Sequence, residues 1–229
     1  MQVKPYNTDQ SKKTEVEDMF DNIAPKYDLL NHVLSMKIDV LWRNTLVKWM
    51  NKDAPKLVLD VATGTGDLAI AVQKGTGADV VGLDLSQQML NVGIDKIKKI
   101  NLDQKISMQK GDAENLPFED NKFDAVSVAF GVRNFENLEK GLAELRRVVK
   151  ENSSVYILEF SKVEGFLAPF YMFYFKNILP QIGKLVSKDN RAYTYLPDSV
   201  NAFPFGEKMK QILLNTGYSK VEYKKLSLG

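Results

Sequence analysis

LVLDVATGTGDLAI (residues 57–70) runs from an apolar strand, through one acid and a Gly-Thr-Gly turn, into the start of a helix. Gly64-Thr65-Gly66-Asp67-Leu68-Ala69 matches the G-x-G-x-x-G/A pattern, in which glycine lets the backbone approach a bound ligand closely. Asp84 stands 18 residues past Gly66, where a carboxylate can take ribose hydroxyls. The pattern alone fits a nicotinamide dinucleotide and S-adenosylmethionine alike, because both present an adenosine.

Downstream, short β-rich runs at 56–61, 79–84, 105–110, 123–129 and 154–160 alternate with helical stretches from Asp67, from Ser86 and across 138–150. That alternation predicts an α/β fold with a doubly wound, mostly parallel sheet and right-handed crossovers. Upstream, 14–51 reads as helical, with breaks at Ala24-Pro25 and at 36–39, and 1–13 as a flexible N-terminal tail. An aromatic helical insertion at 165–204, a helix from 205 to 215 and a strand at 220–225 complete the pattern. One domain is expected over 14–229. It comprises a helical lid (14–51), a cofactor-binding core (56–160), a substrate insertion (165–204) and a closing helix and strand (205–225).

Composition narrows the chemistry. The 229 residues suit one large α/β domain. A formal charge of +2 offers no field for nucleic acid, so no such partner is expected. The lysines at 96, 98 and 99 and the arginines at 146–147 read as solvated helix faces. There is no cysteine, which excludes disulfides, thiolate metal sites and cysteine nucleophiles. The single histidine, His32, cannot build the usual His/Cys zinc site. Neither a metal nor a covalent enzyme intermediate is expected. The polar start, MQVKPYNTDQSKKT, lacks the apolar core of a signal peptide, and no apolar run reaches the ~20 residues of a spanning helix. A cytoplasmic location follows as an expectation.

In doubly wound sheets, ligands bind beyond the carboxyl ends of the strands. Asp60 ends the first strand, Asp84 the second, Asp112-Ala113 follows the third, and Phe130-Gly131 follows the fourth after Ala129. Each reads singly as a turn former; together they mark a rim. Asp60 would repel a pyrophosphate but suit an ammonium and a sulfonium, and the loop carries no basic residue. These features favour S-adenosylmethionine.

Four ordered segments carry a resemblance. In YDLLNHVLSMKIDVLWR (residues 27–43), Tyr27, Asp28, Asn31, Ser35 and Trp42 match the N-terminal signature of the ubiquinone/menaquinone biosynthesis C-methyltransferases. FGVRNF (130–135), RVVKENSSVYILEFS (147–161) and YTYLPDSVNAFPFG (193–206) resemble later segments of the same family, so the resemblance runs from about Val16 onward. The chain departs from that pattern at Asp39, where the family has His, at Glu151-Asn152-Ser153, which replaces Pro-Gly-Gly, and at Ala62, which replaces a glycine. The family also continues for one strand beyond Gly229, and that final strand is expected to be missing here.

The resemblance implies the Rossmann-like fold of class I S-adenosylmethionine-dependent methyltransferases. It implies carbon methylation of a polyprenylated quinol, chiefly demethylmenaquinol to menaquinol as the last methylation of menaquinone biosynthesis. The benzoquinol precursor of ubiquinone is a second candidate acceptor, and S-adenosylhomocysteine is the product. Arg133 would hold the quinolate charge and Asn134 the ring, with the proton leaving to water, His32 or Asp28; the alternative for Arg133 is a structural ion pair. Tyr27, Asp60, Gly64, Thr65, Gly66, Asp84, Asp112, Ala113 and Ala129 would bind the donor. Asn31, Phe130, Phe170, Phe173, Tyr193 and Tyr195 would bind the acceptor. The aromatic stretch at 166–175 is either core packing, a homodimer contact, or a greasy entrance for the polyprenyl tail at the membrane surface. Three other readings stay open: a class I methyltransferase acting on another phenolic or lipid acceptor, a nicotinamide-dependent dehydrogenase, and a non-catalytic binding protein.

Overall fold

Among the described residues, five strands form one parallel sheet: β1 (Leu57–Val61), β2 (Asp79–Asp84), β3 (Ile106–Lys110), β4 (Phe123–Ala129) and β5 (Val149–Leu158). The computed structural model describes residues 3–35, 37–162 and 191–227, with the backbone alone at 30, 32–34 and 191–193. The strand order is β3-β2-β1-β4-β5. The winding therefore reverses between β1 and β4, opening a crevice at their carboxyl ends. Asp60 pairs in register with Gly82 on one side and Ser127 on the other.

The helices cover both faces. Helices α1 (Lys12–Ile23), α2 (Tyr27–Leu34) and α3 (Ile38–Met50) precede the sheet, followed by α4 (Asp67–Thr76), α5 (Gln87–Lys99), α6 (Leu138–Val148), α7 (Arg191–Ala202) and α8 (Glu207–Asn215). The period-2 pattern of the strands divides the core. Leu59, Val61, Phe123, Val126 and Val128 pack with Leu142 and Leu145 of α6. On the other face, Val58, Val80 and Ala125 pack with Leu46 and Met50 of α3 and Val72 of α4. Side-chain caps start three helices: Ser11 Oγ accepts the Thr14 N–H, Ser86 Oγ the Met89 N–H, and Asn137 Oδ1 the Lys140 N–H.

Two expectations change. The segment expected as a tail is anchored: the N–H groups of Tyr6, Asn7 and Thr8 all donate to the buried Glu15 carboxylate, and α1 already begins at Lys12. A buried carboxylate needs donors, and the chain before α1 supplies them. The strand expected at 220–225 is not one. Val221 packs against the core, but the segment has no ladder pairing with β5. Its alternating side chains fit a strand; without backbone partners they dock singly. Lys224 lies over Trp49 and Ser227 accepts from the Trp42 indole. Of the insertion expected at 165–204, the part up to 190, with Phe170 and Phe173, lies outside the described residues, as do the side chains of His32 and Tyr193.

Candidate active site

The loop after β1 has an unusual backbone. Ala62, Gly64 and Gly66 take φ of +53°, +57° and +80°. A Cβ on Gly131 would lie 2.4 Å from the Ala62 Cβ, so only glycine allows the loops after β1 and β4 to touch. Phe130, beside it, also has positive φ, +60°. Non-glycine residues held this way gather at ligand sites.

Asp60 lies beneath that loop, buried. Its oxygens accept the Ser127 and Thr63 hydroxyls, each at 2.7 Å. Burial pushes its carboxyl up to about 6 against the pull of those hydroxyls. Asp60 lies outside the cavity lining and holds the loop from below through Thr63. Thr65 and Gly66 also lie outside the cavity lining. The Thr65 hydroxyl donates to Asp28, and Gly66 caps α4 while its N–H bonds the Thr63 carbonyl.

Asp84 does line the cavity. Its Oδ2 accepts the Gly64 N–H at 2.7 Å and its Oδ1 the Ser86 N–H at 2.9 Å, and the Leu85 N–H adds a third donor to the carboxylate. Burial pushes it, too, up to about 6. Gly64, Tyr27, Asp112, Ala113, Ala129, Phe130 and Asn134 border the same cavity, which brings most of the expected donor residues and two expected acceptor-side residues together. Burial raises the Tyr27 phenol, and Asn31 offsets part of the shift through a hydrogen bond. Asn31 thus supports Tyr27 rather than bordering the cavity. Tyr195, buried against α1, donates its hydroxyl to Asn134 Oδ1 at 3.1 Å.

The raised carboxyls have a pH signature. Folded values near 6 against 3.8 favour the folded state at acid pH, an advantage lost as pH rises from about 4 through 6. Donor binding runs the other way, since only ionised Asp84 accepts fully from two hydroxyls. Affinity for S-adenosylhomocysteine is expected to fall as pH drops below about 6, and Asp84→Asn to flatten that limb in a calorimetric series. An unchanged profile in the variant would shift the dependence to Asp60.

Three charged residues went unassigned in the sequence or were misread there. Glu159, just past β5, holds Arg133: Nη1 lies 2.7 Å from Glu159 Oε1, and both side chains are under 10% exposed (8% and 6%). Nη1 also donates to the Phe130 carbonyl, and the guanidinium sits 5.5 Å over the Phe160 ring, which stacks on Phe130. Arg133 thus sits in a buried ion pair, the alternative named for it from the sequence. Among the described residues, its Nε is the buried side-chain donor without a partner. Lys12, taken for tail, is buried and donates to the Arg133 and Phe135 carbonyls, each at 2.9 Å. Burial first, then the charge of Arg133, lowers its ammonium to about 8. Lys96, read as a solvated lysine, binds Asp28 at 2.6 Å. Glu159 could have been found by the strand-end rule that found Asp60 and Asp84; the two lysines carry no local signal.

The sequence model of the ubiE/COQ5 methyltransferase family matches residues 8–229. A demethylmenaquinone methyltransferase of Bacteroides fragilis is 47% identical, covering 99% of this chain and 94% of that protein. One from Porphyromonas gingivalis is 42% identical over the same shares. The ubiquinone/menaquinone biosynthesis C-methyltransferase UbiE of Geotalea daltonii is 41% identical over 95% of this chain and 94% of its own. Among solved structures, a putative S-adenosyl-L-methionine-dependent methyltransferase from Methanococcus maripaludis superposes with a TM-score of 0.59 at 21% identity. It covers 94% of this chain and 89% of that one, a likeness of fold.

Proposed function

The chain belongs to the ubiE/COQ5 methyltransferase family, and from that membership we propose that it methylates a ring carbon of demethylmenaquinol with S-adenosylmethionine, giving menaquinol and S-adenosylhomocysteine. The relatives named for this reaction cover almost the whole chain. The observation that carries the reading is one cavity bordered by Asp84 together with Asn134 and Phe130. A ribose-binding carboxylate and a candidate acceptor site meet there.

The residues fit this donor. Asp84 offers its carboxylate to ribose hydroxyls, Gly64 lets the backbone come close, and Asp112-Ala113 borders the position of the adenine. No lysine or arginine stands in the loop from Ala62 to Gly66 to compete for a cationic ligand. When bound, the donor supplies a methyl group made electrophilic by its sulfonium.

The protein's part is to orient the ring and make it nucleophilic. A quinol hydroxyl has a pKa near the ~10 of a phenol, and its ionisation puts charge on the neighbouring ring carbon. Arg133 does not itself border the cavity; we assign its unpartnered Nε to that oxygen because a buried N–H without a partner costs about 1–3 kcal/mol that a ligand oxygen can offset. Asn134, held by Tyr195, would fix the ring. Contact with a membrane surface belongs to the same reading, because a polyprenyl acceptor resides in lipid. Leu29 of α2 and Leu41 of α3 are 61% and 64% exposed, and no helix among the described residues is long and apolar enough to cross a membrane.

Transfer of labelled methyl tests the proposal. Anaerobically and with reductant, label is expected in demethylmenaquinol in step with S-adenosylhomocysteine formation. Donor binding without transfer to this quinol or to its benzoquinol counterpart would refute it.

A further inference from the structure

We propose that Lys96 is a positioning residue for donor binding, its ammonium clasping lid helix α2 onto the glycine loop; the assignment rests on the donor reading above. Lys96 lies on α5, whose buried face is formed by Met89, Leu90, Gly93 and Ile97. Its Nζ stands 2.6 Å from Asp28 Oδ2 on α2, 2.7 Å from Asp67 Oδ1 in the first turn of α4, and 3.2 Å from the Thr65 hydroxyl of the loop. The Thr65 hydroxyl donates in turn to the other oxygen of Asp28. One cation therefore joins three elements far apart in the chain, in a half-sheltered setting where Lys96, Asp28 and Asp67 are 26%, 30% and 27% exposed.

The charges explain why this ammonium matters. Two carboxylates from different elements lie within 2.7 Å of the same nitrogen. Asp67 is also paired with Arg43 at 3.0 Å, and Arg43 ties in Asp39 of α3. Without Lys96, Asp67 keeps that partner while Asp28 faces a like charge across the gap, which favours lifting α2 away.

Position turns the clasp into function. Tyr27, the residue before Asp28, borders the donor cavity together with Gly64 and Asp84. Fixing Asp28 to Thr65 fixes Tyr27 over that cavity. Lys96 itself does not border it, so its effect on the donor passes through Asp28.

The test titrates S-adenosylhomocysteine by calorimetry into the wild type, Lys96→Met, Lys96→Arg, Asp28→Asn and the Lys96→Met/Asp28→Asn double variant, with melting temperatures and steady-state kinetics alongside. Charge-assisted bonds in a partly solvated site predict a roughly five- to tenfold rise in Kd and in donor KM for Lys96→Met. The change in kcat should be smaller, Arg should recover most of the affinity, and Met should cost little more once Asp28 is Asn. Unchanged Kd in a folded Lys96→Met protein would overturn the clasp. So would a lower melting temperature without a change in Kd, or equal losses in both Asp28 backgrounds. A wild type that binds no S-adenosylhomocysteine would overturn the donor reading itself, and the clasp with it.

Discussion

Glu159→Gln and Arg133→Met are each expected to lower the melting temperature by about 10 °C, because each leaves one buried charge without its partner. The two groups meet at 2.7 Å, and the Arg133 backbone N–H adds a 3.2 Å bond to the second Glu159 oxygen. Breaking a buried pair from one side costs about 3–5 kcal/mol. A domain of this size shifts by roughly 2–4 °C per kcal/mol. Removing both charges together, as in Arg133→Met/Glu159→Leu, should restore much of the stability, since a well-packed apolar pair can replace a buried ion pair. Turnover should not return with it. Loss of one pre-organised donor to a developing oxyanion typically costs on the order of 10²–10³ in rate, and Arg133→Lys should recover only part of that because it lacks the planar fork. Thermal melts and single-turnover rates on all four variants separate the two roles. A stable double variant with a near-normal rate would leave Arg133 as an ion pair and nothing more.

Asp84→Ala is expected to weaken donor binding by about 100-fold. Two hydrogen bonds to an ionised carboxylate are worth roughly 1.5–3 kcal/mol each, and the lower figure for both already gives about that factor. The same substitution frees the Gly64 and Ser86 N–H groups, so the loop after β1 loses an anchor as the ribose loses its acceptor. Melting temperature keeps the two losses apart: a folded Asp84→Ala protein with wild-type affinity by calorimetry would remove Asp84 from the donor site.

The rim was legible before the fold because it obeys a local rule. An apolar run that ends in an acid and a glycine turn names a strand end wherever it occurs. Asp84, Asp112, Ala113, Ala129, Phe130 and Asn134 were placed in that way or through the family resemblance, and all border the cavity. Asp60 shows where the rule stops. Its position at a strand end was read correctly, but the direction of its side chain depends on Ser127, its register partner 67 residues away.

What the sequence determined by itself, then, is everything set by short-range periodicity and turn chemistry: the α/β alternation, the breaks in the N-terminal helices at Pro25 and before α3, the Gly64–Gly66 loop and the order of the strand ends. What only the tertiary structure decided is which charge meets which. Arg133 finds Glu159 at a separation of 26 residues, Lys96 finds Asp28 at 68, and Lys12 finds the Arg133 carbonyl at 121. A lysine on a helix looks the same in sequence whether it faces water or two carboxylates. Burial is set by the packing of distant elements, and burial is what turns an ordinary surface charge into one that must be paired.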